Sequence, residues 1–522
     1  MERVECRTTA GTPATTQLTV TETYTAAYAH PYAAGRPRMS QAANGVQTWY
    51  QYTATSLHGA LYSVTTETRV EGAPVAGQST RSVEYISADG NVLRSESYLL
   101  LSSGVWALTS GESHQYDTQN RRIATLHDNG RSRSCGYICT GELLWEVDED
   151  GVRTDYGYDA SRRLMETIRS EVRDGETVIT PETITTYTRD AAGRVLTTRR
   201  DVGPMTTTES MVYDILGRVT SRTDSLGRIT STAYSEDGLT TSLTTPAGAT
   251  LITTRNRDGS VAHLAGTGQR ELFYVYDLNG NNARETVKLA DNTTILSQTI
   301  TTDFGQVVAQ AQPNANGGFI YSRSEYNAKG QLTKQYQDTG WNTAKTAATL
   351  YEYDTFGNVV KQTLALSSSP TPQNSPVTEM AYGAEALTDG IYRTVTRTRY
   401  NAAGNPLVSV QKSLVSNLSD TLESKNLTID ERNLTSTQWV EYHGGTKRKS
   451  YNTLPTSNIT AEAVTVDGFT LSQTDNAGVM TTSSRSYMAN GMIHSRTDGR
   501  GNTTATVTDI AGRTLTVTDA AG

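Results

Sequence analysis

A short phrase, Tyr-Asp-x-x-Gly-Arg, recurs along this chain at a fixed interval, and that interval constrains the fold more than any other feature. It stands intact at Tyr213-Asp214-Ile215-Leu216-Gly217-Arg218. Close variants are Tyr276-Asp277-Leu278-Asn279-Gly280, Tyr326-Asn327-Ala328-Lys329-Gly330, Tyr353-Asp354-Thr355-Phe356-Gly357 and Tyr400-Asn401-Ala402-Ala403-Gly404. Weaker echoes, with the tyrosine displaced or replaced, are Asp190-Ala191-Ala192-Gly193-Arg194 and Asp509-Ile510-Ala511-Gly512-Arg513. Gly217, Gly238, Gly259 and Gly280 fall 21 residues apart in succession, and Tyr116, Tyr137 and Tyr158 keep the same step. Half a period later a second turn often follows, as Asp224-Ser225-Leu226-Gly227-Arg228 shows. A unit this short cannot bury a core alone, so it must stack on its neighbours.

The phrase reads as turn chemistry. Asp or Asn at the first position of a type I turn bonds its own backbone, and Gly at the fourth tolerates positive φ. Loops of this kind close hairpins with a bulge. Where Gly is missing, Asn120 in Tyr116-Asp117-Thr118-Gln119-Asn120 takes its place, and Asn also enters the left-handed region readily. The flanks alternate with period two: in Arg513-Thr514-Leu515-Thr516-Val517-Thr518, leucine and valine share one face and threonines the other. This is strand periodicity, with two turns per repeat and strands of about six or seven residues. Tyr (28) far outnumbers Phe (5), as suits half-exposed strands whose side chains cover a pleat and still offer a hydroxyl.

Phrase, period and turn chemistry together resemble the YD-repeat shell of RHS proteins, a family that includes the B and C components of bacterial toxin complexes, wall-associated RHS proteins and animal teneurins. The resemblance runs from about residue 80 to 522. Residues 1–80 read as a degenerate lead-in, 81–360 as repeat sheet, 361–460 as irregular repeats with a loop insertion around Ser367-Ser368-Ser369-Pro370-Thr371-Pro372, and 461–522 as repeats ending mid-turn. The expected fold is all-β: a long antiparallel meander coiled into a hollow, cocoon-like shell, of which this chain is an incomplete segment. At about 10 residues and about 4.8 Å per strand the ribbon would exceed about 200 Å in width, and open twisted sheets curl or split well before that. Coiling also hides edges that invite aggregation. A β-solenoid with parallel strands is the runner-up.

Composition narrows function. The hydrophobic share is 36% and the mean hydropathy −0.49; the densest apolar run, Tyr98-Leu99-Leu100-Leu101, is far short of the ~20 residues that span a bilayer. A net charge of −8 argues against nucleic-acid binding. The basic run Lys447-Arg448-Lys449 after Gly444-Gly445 reads as a solvated turn. Three cysteines, Cys6, Cys135 and Cys139, exclude a disulfide framework. Cys135 and Cys139 would share one strand face, yet no second ligand pair accompanies them for zinc. Glu146, Asp148, Asp150 and Gly151 imitate the start of a calcium loop, but Gly157 stands where the bidentate glutamate belongs. The seven histidines keep no metal-like interval, Gly266-Thr267-Gly268 has no third glycine, and no P-loop or nucleophile elbow occurs.

The residues that carry the pattern are therefore assigned to turns and strand ends: Tyr213, Asp214, Gly217, Arg218, Asp224, Gly227, Gly238, Gly259, Tyr276, Asp277, Gly280, Tyr326, Gly330, Tyr353, Asp354, Gly357, Tyr400, Gly404 and Gly512. No catalytic residue, cofactor or metal is expected. The resemblance implies a secreted or cell-surface bacterial protein, a shell that encloses a C-terminal toxin or effector polypeptide or joins other shell components. The alternative is a cell-surface adhesion or glycan-binding scaffold. In toxin-bearing members an aspartyl autoprotease core follows the repeats; nothing here matches it, which suits an excerpt of a longer protein.

Overall fold

The computed structural model describes residues 4–8, 18–24, 31–42, 44–280, 282–291, 293–314, 317–338, 348–365, 375–401, 403–456 and 459–519. Within them the chain forms forty-three strands, numbered in chain order from β1 (Val4–Thr8) to β43 (Thr514–Thr518). Forty-one of these make a single sheet. Every ladder is antiparallel and joins consecutive strands, so the parallel solenoid is excluded. One exception interrupts the order: β13 (Leu164–Arg169) pairs directly with β16 (Thr183–Arg189), and the hairpin β14–β15 (Val172–Asp174, Thr177–Thr180) stands outside the sheet as its own two-stranded unit. The sheet does not close on itself, and β1 and β43 are its two unpaired edges among the described residues.

Local sequence explains the meander. Most turns carry Asp, Asn, Ser or Thr at the first position and a residue with positive φ at the fourth, mostly Gly, as at Gly217 (φ 82°), Gly227 (76°) and Gly357 (89°), while a few open on another residue, such as Leu101 or Ile138. Asn120 occupies that place at φ 59°. The register slips by one residue where these loops meet the ladder, for instance between Val212 and Tyr213, the signature of a bulged closure. In β20 (Ile229–Tyr234) the alternation is clear: Ile229, Ser231 and Ala233 are exposed while Thr230, Thr232 and Tyr234 are half-buried. The covered face is thus the tyrosine face, and the aliphatic residues lie on the open one. Strand ends alternate between two rims. Turns that lead from an even-numbered to an odd-numbered strand lie along one rim; the rest lie along the other.

Residues 361–460 are more regular than their sequence suggests. The strands β32 (Val377–Leu387) and β33 (Gly390–Tyr400), 11 residues each, form a hairpin in unbroken register and continue into β34 (Pro406–Leu414). Alternating β-branched residues and arginines carry β33, and the turn phrase at Asn401–Gly404 joins it to β34. Ser367–Pro372 lies outside the described residues.

The ribbon winds back onto itself. The β3–β4 turn (β3 Pro37–Gln41, β4 Val46–Ala54) meets the β28–β29 turn (β28 Phe319–Tyr326, β29 Leu332–Asp338) through the Lys329 ammonium, 3.2 Å from the Asn44 carbonyl. The β11–β12 turn (β11 Leu143–Val147, β12 Arg153–Tyr158) meets the β36–β37 turn (β36 Thr435–Tyr442, β37 Lys447–Thr453). In each case the strand number advances by 25, two of which belong to the β14–β15 excursion, leaving 23 strands of the main sheet per winding. An odd number places the two rims against each other. The two clusters of buried apolar side chains both straddle this seam: Leu99 and Leu101 with Ala384 and Ile391, and Val152, Val172 and Ile179 with Val466. The core of this molecule is the contact between windings.

Candidate functional site

Among the described residues, two arrays organise the molecule: the tyrosine-bearing rim and the seam. The unit of the rim is the turn. Asp214 Oδ1 accepts the backbone N–H groups of Leu216 and Arg218, each at 2.9 Å, and Oδ2 accepts Arg218 Nε at 2.7 Å. The same triad recurs at Asp117, Asp159 and Asp509, and on the opposite rim at Asp224. The backbone N–H of Arg218 and its guanidinium hold the Asp214 carboxyl below the usual carboxylate range; Asp117, Asp159 and Asp509 are lowered in the same way.

Tyrosine is what distinguishes the rims. Tyr213 donates its hydroxyl to the carbonyl of Val195, the first residue of the preceding strand, at 2.9 Å. Tyr158, Tyr234, Tyr276, Tyr326, Tyr353 and Tyr382 each reach the equivalent carbonyl, at 2.6 to 3.0 Å. Where the echo at Asp190 lacks the tyrosine, Arg189 replaces it, and its guanidinium donates to the Leu164 carbonyl at 3.1 Å. The turn arginine then bridges forward: Arg194 donates to the Asp214 carbonyl at 3.2 Å and lies 4.9 Å from the centre of the Tyr213 ring, and Arg218 lies 4.2 Å from that of Tyr234. The Asp117 and Ile138 turns, and the Asp190 and Asp214 turns, are thereby tied along the rim by a hydroxyl, a guanidinium and a cation–π contact. Burial raises the phenol of Tyr276 to about 12, and also raises those of Tyr158 and Tyr353.

One of the turn assignments fails. Asp277 lies inside β24 (Gln269–Asn279) and pairs across the hairpin with Arg284, 2.7 Å from Nε. The chain has Asn281 where the turn arginine would stand, and Asn279 pairs with Asn282 across the hairpin end at Gly280 (φ 65°). Tyr400 and Gly404 belong to a turn of the opposite rim, and the Tyr400 hydroxyl bonds Glu379 at 2.9 Å rather than a carbonyl. The remaining turn glycines, Gly238, Gly259, Gly330 and Gly512, sit at the fourth positions of their turns with φ between 72° and 89°. Asn327 and Asp354 open their turns, each accepting the backbone N–H four residues on.

The hydrogen bonds of the seam join residues from 273 apart (Asp174 and Lys447) to 308 apart (Thr109 and Asn417). Arg131 bonds Asp150 at 2.6 Å and Glu423 at 2.8 Å, and Arg448 bonds the same two carboxylates at 2.7 Å each. Both guanidiniums lie over Tyr442, 4.7 and 4.8 Å from its centre. Further along, Asp467 accepts Arg169 at 2.7 Å and Thr180 at 2.6 Å. Burial raises the Asp467 carboxyl, and its bonds to Thr180 and Arg169 outweigh that and lower it. Backbone bonds join in: Ser102 N–H to the Ala384 carbonyl at 2.8 Å and Asn417 N–H to the Thr109 carbonyl at 2.7 Å.

The basic run is therefore no solvated turn. Lys447, Arg448 and Lys449 open β37 and are paired with Asp174, Asp150 and Glu423, and Glu462. Glycines around it let the chain turn, but Lys447 and Arg448 answer the acidic turns at Asp174 and Asp150 of the previous winding, while Glu423 and Glu462 lie in strands of their own winding. Cys135 lies in β10 (Ser132–Tyr137) and Cys139 in the turn after it, so the two do not share a strand face. Asp148 caps its own turn, accepting the N–H groups of Asp150 and Val152 at 2.9 Å each. Among the described residues no group of three or more His, Cys, Asp or Glu side chains is placed to hold a metal ion, and no helix is long and apolar enough to cross a membrane.

No protein-family model matches the chain, and no curated protein matches it in sequence. Among solved structures it is similar to the TcdB2-TccC3-TEV crystal structure, with 12% identity over 96% of this chain and 30% of that one and a TM-score of 0.36. It is similar in the same way to TcdB2-TccC3 (12% identity, 97% and 31% covered, TM-score 0.33). A third is the Tc holotoxin pore of Photorhabdus luminescens (12% identity, 97% and 29%, TM-score 0.32). The chain spans less than a third of the length of each of these structures.

Proposed function

We propose that this chain is part of the wall of a container that encloses and shields a polypeptide cargo, a toxin or effector among them, and that its action is steric. The observation that carries this reading is the seam: a sheet that returns to touch itself every 23 strands, with its apolar clusters at the line of contact, encloses space instead of filling it. Twenty-three strands at about 4.8 Å make a girth of roughly 110 Å, or a ring about 35 Å across. That leaves room for an extended chain or a helix, whose diameter is about 10–12 Å. The open face in β20, with Ser231 and Ala233 between Ile229 and the strand end, offers short side chains and little continuous apolar area, which would hold an unfolded chain without gripping it. The rims stiffen the wall where one turn is bonded to another, as at Arg121, Arg163 and Arg194, which leaves a protease less free loop at those turns.

The role needs no chemistry of its own, and export to the bacterial surface or beyond is part of the proposal. Limited proteolysis of the full-length protein tests it. The cargo region is expected to survive concentrations of protease that cut an exposed linker, and to become sensitive once the shell is unfolded. A cargo region cut as readily as an exposed linker would sink the idea. Binding to a glycan array by the same protein, lost on replacing rim tyrosines, would support the adhesion reading instead.

A further inference from the structure

We infer that a trough on the tyrosine-bearing face of residues 424–476 is a docking site for an extended, uncharged segment of polypeptide, held by its backbone. The trough crosses β35 (Leu422–Ile429), β36, β37, β38 (Ala461–Val466) and β39 (Phe469–Thr474) and has a volume of about 470 Å³. Register fixes which side chains face it. Asn426, Gln438 and Asn452 stand opposite one another on three adjacent strands. The next row on the same face holds Ser424, Val440, Ser450, Ala463 and Gln473. The ladder carries this face back through Thr428, Gln411 and Val395 to Tyr382. Windings meet rim to rim, so a further winding would cover turn tips and leave this face open.

The polar groups of the trough are unspent. Gln306 and Asn327 use their amides on turns of the rim, whereas those of Asn426, Gln438, Asn452 and Gln473 bond nothing among the described residues. Asn452 Oδ1 is buried without a partner, and turning its amide into the trough would offer it a donor. No charge points in. Glu462 projects from the reverse face towards Lys449, 3.3 Å away, and the Asp475 carboxylate at the end of the trough accepts the N–H groups of Ala477 and Val479. The two rings nearby, Trp439 and Tyr451, stack on each other on the reverse face with centres 4.7 Å apart. A primary amide sets an N–H donor beside a carbonyl acceptor, the complement of a peptide group. Amides on adjacent strands, about 4.8 Å apart, can therefore hold a backbone whatever side chains it carries. A sugar would need a flat apolar platform for its C–H face, and Ala461 and Ala463 are too small to make one.

The container reading turns the opposite, open face towards cargo, so the two readings fail separately. The full 522-residue chain is titrated, by fluorescence anisotropy, into a labelled peptide of Gly, Ser and Thr, the same peptide with its backbone N-methylated, and a labelled neutral hexasaccharide. The wild type is expected to bind the plain peptide with a Kd of tens of micromolar and the N-methylated one at least about tenfold more weakly. Gln438→Leu/Asn452→Leu should weaken binding by a similar factor with its strand content unchanged by circular dichroism. Ala463→Tyr, which fills the trough and removes no amide, carries the same test if the double variant does not fold. Gln362→Leu, on the same face outside the trough, should bind as the wild type does. Absence of peptide binding up to about 500 µM overturns the inference, as does equal affinity for the N-methylated peptide or unchanged binding in the trough variants. Preferential binding of the hexasaccharide overturns it in favour of a glycan site.

Discussion

At the scale of single residues, the repeat phrase divides its labour. Asp fixes the turn, Gly supplies the left-handed backbone, Tyr reaches back and Arg reaches forward. Removing one hydroxyl should expose the weight of one link: Tyr213→Phe leaves the Val195 carbonyl without its side-chain donor and should lower unfolding stability by about 1 kcal/mol, as read by urea denaturation. The carboxylates add a pH dependence. Asp117, Asp159, Asp214 and Asp467 all have carboxyls lowered in the folded state. Their contribution is therefore complete above the unfolded carboxylate range of about 4 and is lost as the pH falls through the lowered values. The thermal midpoint should be flat from pH 7 to about 5 and fall steeply below about 4; a midpoint that rises on acidification would contradict this. The turn chemistry was legible in the sequence because each bond joins residues at most four apart. The forward reach of arginine was not, since its partner lies about one repeat away and only the rim brings the two together.

At the scale of elements, the hairpin β14–β15 matters more than its size suggests. It leaves the sheet between β13 and β16 and brings Val172 and Ile179 against Val466 of the next winding. Arg485 of β40 (Met480–Met488) also donates to the Ile179 carbonyl at 2.9 Å and to the Thr180 hydroxyl at 2.7 Å. Ile179→Ala should cost about 2–4 kcal/mol, more than the same change in an ordinary strand of this sheet. The backbones come closest at Gly77, where a Cβ would lie 2.7 Å from the Gly383 Cα. Gly77 also has φ 79°, so Gly77→Ala is strained twice over and should loosen the seam. Faster hydrogen exchange at Ser102 and Ala384, with the β20 region unchanged, would be its mark. Nothing in Val172–Thr180 announces this role. Asp174-Gly175 reads as one more turn, and the departure from the sheet follows from contact with a segment almost 300 residues away.

At the scale of the whole molecule, stability is concentrated between windings. A chain truncated after residue 338 keeps its ladders and loses both buried clusters, whose partners Ala384, Ile391 and Val466 lie beyond the cut. It should bind a hydrophobic dye and unfold with a shallow, weakly cooperative transition, whereas the full chain should unfold sharply. Contacts of such long sequence separation also predict slow folding. The all-β meander was readable because hairpin pairing is local; the 23-strand winding was not, because its spacing leaves no periodic trace in the residues. That spacing has a consequence for how such a chain can change length. Every seam contact brackets residues 229–328, since its first partner lies at or before Arg228 and its second at or after Lys329. Adding or deleting one repeat inside that stretch would offset every partner pair at once by two strands, like a thread cut at the wrong pitch. The same insertion before the first partner or after the last would offset none. Length variation in natural relatives should accordingly collect at the two ends and in the loops, and the middle hundred residues should keep their strand number.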